Sequence, residues 1–220
     1  MTTPFKAMLI SEIFPPKHGG SGRWFYEIYS RLPRDQYVLA VGKSEGYEAF
    51  DTTHDLTLER ADLSSNDWGL VSLNGFHYYW RTFLKLRKLI KQHEITQLHC
   101  GRCLPEGVMA LLLSKLYNIP FKCFIHGEDV ETAAQSRELS WMIKQVFQHA
   151  EHLICNSHNT RNILLNKWHT SPERTIVMHP GVDTERFKPA PHNIDIKRKL
   201  GWHDRPVILT VGRLQERKGQ

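Results

Sequence analysis

Ile95-Thr96-Gln97-Leu98-His99-Cys100, then Glu106-Gly107-Val108-Met109-Ala110-Leu111-Leu112-Leu113-Ser114-Lys115-Leu116-Tyr117, then Phe121-Lys122-Cys123-Phe124-Ile125 is the stretch that decides the fold. The outer pieces are short apolar runs of strand length, and the middle one reads as a helix. Such a succession is a βαβ unit, with parallel strands buried on both faces. The alternation extends both ways. Upstream, a helix over Tyr78 to His93 is preceded by strand runs at Ala7 to Ile10 and Tyr37 to Val41, with a helix from about Gly22 to Leu32 between them. Downstream come a helix over Arg137 to His149, a strand over His152 to Cys155, a helix over Asn159 to Lys167 and a strand over Thr175 to Met178. The segment from Gly42 to Gly75 is polar and loop-like, with Leu56-Thr57-Leu58 as a short strand candidate. The expectation is an α/β fold, a Rossmann-like doubly wound parallel sheet.

The end of the chain has its own pattern. Lys188-Pro189-Ala190-Pro191 reads as a linker, a short helix covers Ile194 to Leu200, and Pro206 to Val211 reads as a strand followed by Gly212, Arg213 and Lys218. A parallel strand needs a covering helix and further strands. We therefore expect a first domain over residues 1–187, a linker with a short helix over 188–205, and over 206–220 the truncated start of a second Rossmann-like domain.

Among 220 residues, 29 Lys+Arg face 23 Asp+Glu, a net charge of +6. That balance suits phosphorylated small molecules or an anionic membrane surface. No RNA-binding aromatic signature, helix-turn-helix cue or zinc-finger spacing is present, which argues against nucleic acid. Nothing resembles a secretory signal at the start of the sequence, and no run approaches about 20 apolar residues. We expect a cytoplasmic protein with its four cysteines reduced. Cys100-Gly101-Arg102-Cys103 is a CxxC preceded by His99, but with no second CxxC it reads as a chance pairing rather than a redox or zinc site.

In a doubly wound sheet, ligands bind beyond the carboxyl ends of the strands, so the loops there carry the functional candidates. After the first strand stand Lys17, Gly19, Gly20 and Gly22; glycines at a helix start let backbone N–H groups approach a phosphate. The spacing is not G-x-G-x-x-G, which argues against a nicotinamide-dependent epimerase. After the Phe121 strand stand His126, Gly127, Glu128 and Asp129. A His there can hydrogen-bond a substrate hydroxyl or move a proton, or can be a surface residue in a chain with thirteen histidines. Asn156 and Ser157 end the next strand, and Pro180-Gly181-Val182-Asp183 turns away from the sheet. Arg213 and Lys218 have the spacing of a diphosphate clamp, or of an ordinary solvated cluster. Arg81, Lys85, Lys88 and Lys91 recur on one side of the Tyr78–His93 helix, which can lie on an anionic membrane or simply cover the sheet.

In this order the motifs, above all the Pro-Gly-Val-Asp turn and Val207 to Gly219, resemble the GT-B-fold retaining glycosyltransferases of family four. The resemblance implies two Rossmann-like domains across a cleft, the first binding mainly the acceptor and the second the nucleotide-sugar donor. It implies that Gly19 and Gly20 line the cleft near the donor diphosphate, that His126 sits near the transferred sugar, and that Arg213 and Lys218 neutralise the leaving diphosphate. Lys17, Glu128, Asp129, Asn156, Ser157 and Asp183 are the remaining acceptor-side or cleft candidates. Retention is expected by same-face attack, with the leaving phosphate helping to accept the proton; no cofactor and no metal are expected. The family's Glu-x7-Glu motif is absent from this sequence, so these residues alone are expected to be inactive. The acceptor is expected to be a glycan or lipid-linked glycan, with peripheral membrane contact and self-association through an exposed interdomain face. The other reading is a non-catalytic acceptor-binding half that pairs with a donor-binding subunit.

Overall fold

The computed structural model describes residues 4–191, 193–203, 205–212 and 214. Its contacts divide the chain into a unit from Met1 to Gly181 and another from Val182 to Gln220.

In the larger unit β1 (Ala7–Ser11), α1 (Gly20–Tyr29), β2 (Tyr37–Gly42), α2 (Tyr47–Asp51) and β3 (Leu58–Ala61) come first. There follow α3 (Leu73–His93), β4 (Gln97–Cys100), α4 (Glu106–Tyr117) and β5 (Phe121–Ile125). α5 (Glu128–Ala133), α6 (Arg137–His149), β6 (His152–Cys155), α7 (His158–Trp168) and β7 (Thr175–Val177) complete it. All seven strands pair in parallel, in the order β3-β2-β1-β4-β5-β6-β7. The order reverses beside β1, so the loops after β1 and β4 open a crevice at the carboxyl edge.

Strand residues alternate between two cores, as the period of two requires. Met8, Ile10, Leu98, Cys100, Cys123, Ile125 and Leu153 point into one core with Leu86 of α3, Met109 of α4 and Val146 of α6. Leu9, Leu39, Val41, Phe124 and Ile154 point the other way, against Trp24, Phe25 and Tyr29 of α1. Each fully buried Leu or Phe contributes on the order of 2 kcal/mol. The expected Rossmann-like α/β sheet is therefore present.

α3 is a turn longer than its apolar spacing indicates. Its cap is Ser72, whose hydroxyl accepts from Gly75 N, and it reaches Leu73. β3 lies later than Leu56–Leu58, with Leu39 of β2 opposite Leu58.

In the second unit the described helix is α8 (Ile194–Lys199), capped by Asn193, whose side-chain oxygen accepts from Ile196 N at 3.0 Å. The strand expected over Pro206 to Val211 does not form. A parallel strand exists only within a ladder, and the described residues supply no partner here; Ile208 is 97% exposed.

Candidate functional site

The carboxyl edge of β1, β4, β5 and β6 gathers most of the candidate residues. Its base is an ionic relay that sequence reading did not identify. Glu106, at the start of α4, is buried, and its Oε1 accepts the main-chain N–H of Glu12 at 2.9 Å. Arg102 bridges the two carboxylates, with Nη2 donating to Glu12 Oε2 at 2.8 Å and Nε 3.2 Å from Glu106 Oε1. Trp68 lies 5.9 Å from the Arg102 guanidinium. Burial outweighs the attraction of Arg102 and raises the Glu106 carboxyl to about 7. Its second oxygen, Oε2, is buried and has no hydrogen-bond partner among the described residues.

Lys17 completes the relay: its Nζ donates to Glu12 Oε1 at 2.6 Å. It is thus an anchor for the loop after β1, with about a third of its side chain exposed. Beyond it, Gly19 is the N-cap of α1 and supplies no side-chain cap, so the first amides of that helix stay open to an anion. A Cβ on Gly20 would meet nothing within 4 Å, whereas one on Gly19 would sit 2.6 Å from Ile13 Cγ2. Gly22 is the close-approach position, because a Cβ there would lie 2.9 Å from the Ile13 carbonyl.

His126 follows β5 directly. Its Nε2 lies 2.8 Å from the Gly101 carbonyl, which can only accept, so Nε2 carries the proton. In the neutral ring Nδ1 is then an acceptor. Trp24 and Phe25 of α1 pack edge-on against the imidazole at 5.9 and 6.0 Å. The imidazole thus packs on the second turn of α1.

Other candidates turn inward. Asp129 is buried in the first turn of α5. Its Oδ2 accepts from the Cys103 amide and thiol, both at 3.2 Å, and its Oδ1 from the amides of His126 and Val130. Asn156 Oδ1 accepts from Thr160 Oγ1 at 2.7 Å, and its Nδ2 reaches the His126 carbonyl at 3.4 Å. Ser157 caps α7 by accepting from Thr160 N. Glu128 stays on the surface. Asp183 belongs to the second unit, where its Oδ1 accepts from the amides of Glu185 and Arg186. Arg213 and Lys218 lie outside the described residues.

The CxxC holds two separate free thiols: Cys100 donates to the Lys122 carbonyl and Cys103 to Asp129. Burial pushes the Cys103 thiol well up, which keeps it protonated and unreactive. Among the described residues no group of three or more His, Cys, Asp and Glu is placed to hold a metal.

A crevice at the carboxyl edge of a parallel sheet occurs in many enzymes, so the geometry leaves the chemistry open. The sequence pattern of Glycosyltransferase Family 4 matches residues 18–186. The chain belongs to that family. A GDP-mannose-dependent alpha-(1-6)-phosphatidylinositol monomannoside mannosyltransferase of Mycobacterium tuberculosis is 21% identical over 98% of this chain and 54% of its own length. A UDP-Gal:alpha-D-GlcNAc-diphosphoundecaprenol alpha-1,3-galactosyltransferase of Escherichia coli is 27% identical over 63% of this chain and 37% of its own. Among solved structures, Anabaena Alr3699/HepE in complex with UDP superposes with a TM-score of 0.64 at 16% identity, covering 90% of this chain and 50% of that one. The family-four chain thus has the fold of the GT-B glycosyltransferases and spans about half the length of these relatives.

Proposed function

We propose that this family-four chain is the acceptor-side half of a glycosyltransferase that moves a sugar from a nucleotide-sugar donor to a glycan or lipid-linked glycan, with retention of configuration. The observation that supports this reading is the packing of His126 against Trp24 of α1, the helix whose start carries no side-chain cap, at the reversal point of the sheet. The amides at Gly19 and Gly20 face the donor diphosphate, where the helix dipole favours negative charge. His126 offers Nδ1 to a hydroxyl of the transferred sugar. Arg213 and Lys218 balance the charge that grows on the leaving diphosphate. No metal is required. Similarity to enzymes acting on a phosphatidylinositol mannoside and on a diphosphoundecaprenol sugar supports an acceptor carried by a lipid. The protein would then work in the cytoplasm at the inner membrane face. The exposed apolar residues Ile208 and Val211 favour self-association of the isolated chain.

The relatives are about twice as long, so transfer is assigned to a protein with a donor-binding half, and these 220 residues alone are expected to be inactive. The intact mass of the protein from its source cells tests this. A mass near twice 25.7 kDa, with transfer from a GDP- or UDP-sugar, is the expected result. A mass near 25.7 kDa with no partner that binds a nucleotide sugar would leave a non-catalytic acceptor-binding module.

A further inference from the structure

The helix α3 is apolar on two sides. Its inner side carries Tyr78, Tyr79, Leu86, Leu89 and Ile90, all buried in the core. Its outer side, at spacings of three and four, carries Leu73, Phe76, Trp80 and Leu84, which are 89%, 59%, 55% and 43% exposed. An exposed helix that needs only to cover a sheet is polar on its outer face. The same outer stripe changes character along its length and continues as Arg87, Lys88 and Lys91, all exposed. No Asp or Glu occurs between Asp67 and Glu94, while Arg81, Lys85, Arg87, Lys88 and Lys91 all lie in that span.

The apolar part is also placed by the fold. Arg81 pairs with Asp62 at 2.9 Å, just past the carboxyl end of β3, so Leu73 to Trp80 extend beyond the edge of the sheet on the side of the candidate site. Glu138 of α6 accepts from the amides of Leu70 and Val71 and pins the loop that enters α3. One turn beyond Glu138 stands Trp141, 59% exposed, and Val71 itself is 86% exposed. A surface cavity of about 290 Å³ lies beside Arg81 and Lys85, lined also by Lys43, Arg60 and the single carboxylate Asp62.

We propose that this overhang docks the protein on an anionic phospholipid bilayer. Leu73, Phe76, Trp80 and Leu84 enter the interface, and the Lys43–Arg81–Lys85 cavity together with the carboxyl half of α3 receives lipid phosphates. An in-plane helix with Trp, Phe and Leu on one stripe and cations beside it has the chemistry of a bilayer surface. Charge favours this occupant, because five cations and no carboxylate between Asp67 and Glu94 complement a surface of lipid phosphates. No described helix is long and apolar enough to cross a membrane. The docking deepens the reading of a lipid-borne acceptor, and it places that acceptor's headgroup at the edge where His126 stands.

The test is co-sedimentation of the 220-residue chain with phosphatidylcholine vesicles, with and without phosphatidylglycerol, in the absence of any sugar. Binding is expected only with phosphatidylglycerol. The triple variant Leu73→Ser, Phe76→Ser, Trp80→Ser should weaken it by about tenfold or more, and Lys85→Ser with Lys88→Ser should weaken it in proportion to lost charge. Circular dichroism checks that both variants remain folded. The proposal is overturned by absence of wild-type binding, by equal binding of the apolar variant, or by a dimer that the apolar variant dissolves. Because no transfer is measured, failure of the assigned reaction and failure of docking are read separately.

Discussion

Oε1 of Glu106 accepts the main-chain N–H of Glu12 at 2.9 Å, although 94 positions separate them in sequence. This bond ties the start of α4 to the loop after β1, and two consequences for stability can be measured.

The first concerns pH. The Glu106 carboxyl is raised from 4.5 to about 7 by burial, so the folded protein holds a proton there that the unfolded chain releases. Stability from this group is full below pH 4.5 and falls as pH rises towards 7, by about 3 kcal/mol. His99 acts oppositely: burial lowers it from 6.5 to about 4, so its contribution is lost as pH falls through that window. The two nearly cancel between pH 4.5 and 6.5. Glu106→Gln should therefore unmask His99, and urea titrations of the variant should show stability rising with pH across that window. A wild-type-like flat profile in the variant would reject the assignment.

The second concerns charge balance. At pH 8, where Glu106 is ionised, Arg102→Ala leaves Glu12 and the buried Glu106 without their shared cation, which should cost about 3 kcal/mol. Arg102→Ala with Glu106→Gln should recover part of that loss, because the uncompensated buried carboxylate is gone. A thermodynamic cycle with the single Glu106→Gln variant measures the coupling.

The glycines after β1 separate packing from function. Gly22→Ala drives a methyl against the Ile13 carbonyl and should destabilise by about 1–3 kcal/mol. Gly20→Ala meets open space and should leave the melting temperature unchanged or slightly raised. If the α1 end receives the diphosphate, Gly20→Val in the catalytically complete protein should raise KM for the donor. His126→Ala, which removes the proposed hydrogen bond to the transferred sugar, should lower kcat/KM for the donor by about tenfold.

The thiols give a simple check on burial. All four cysteines are buried and free, and burial raises Cys155 to about 12. Iodoacetamide at pH 8 should therefore leave the folded protein unmodified and label all four thiols in urea. Rapid labelling of Cys103 in the native state would contradict its enclosed contact with Asp129.

The sheet was legible because its signal is local. β5 and α6 have the bounds expected from sequence, Phe121–Ile125 and Arg137–His149. The first turn of α3 is not legible because it ends a polar, loop-like stretch that runs to Gly75. The structure uses that glycine for a close approach, since a Cβ there would fall 1.8 Å from the Gly69 carbonyl. α5 was missed because its six residues are too few to show a period, and Asp129 therefore read as a cleft carboxylate when it is an interior staple. The place of His126 could be read, but its partners could not. The Gly101 carbonyl and Trp24 reach it only through the pairing of distant strands.

The relay from Glu106 through Arg102 to Glu12 and Lys17 bears on what a ligand meets on arrival. Glu12 is held at its amide by Glu106 and at its carboxylate by Arg102 and Lys17. The loop that opens α1 is thus ordered before anything binds. If a diphosphate binds there, as proposed, little conformational entropy is lost on binding and more of the attraction is left to hold the ligand in position.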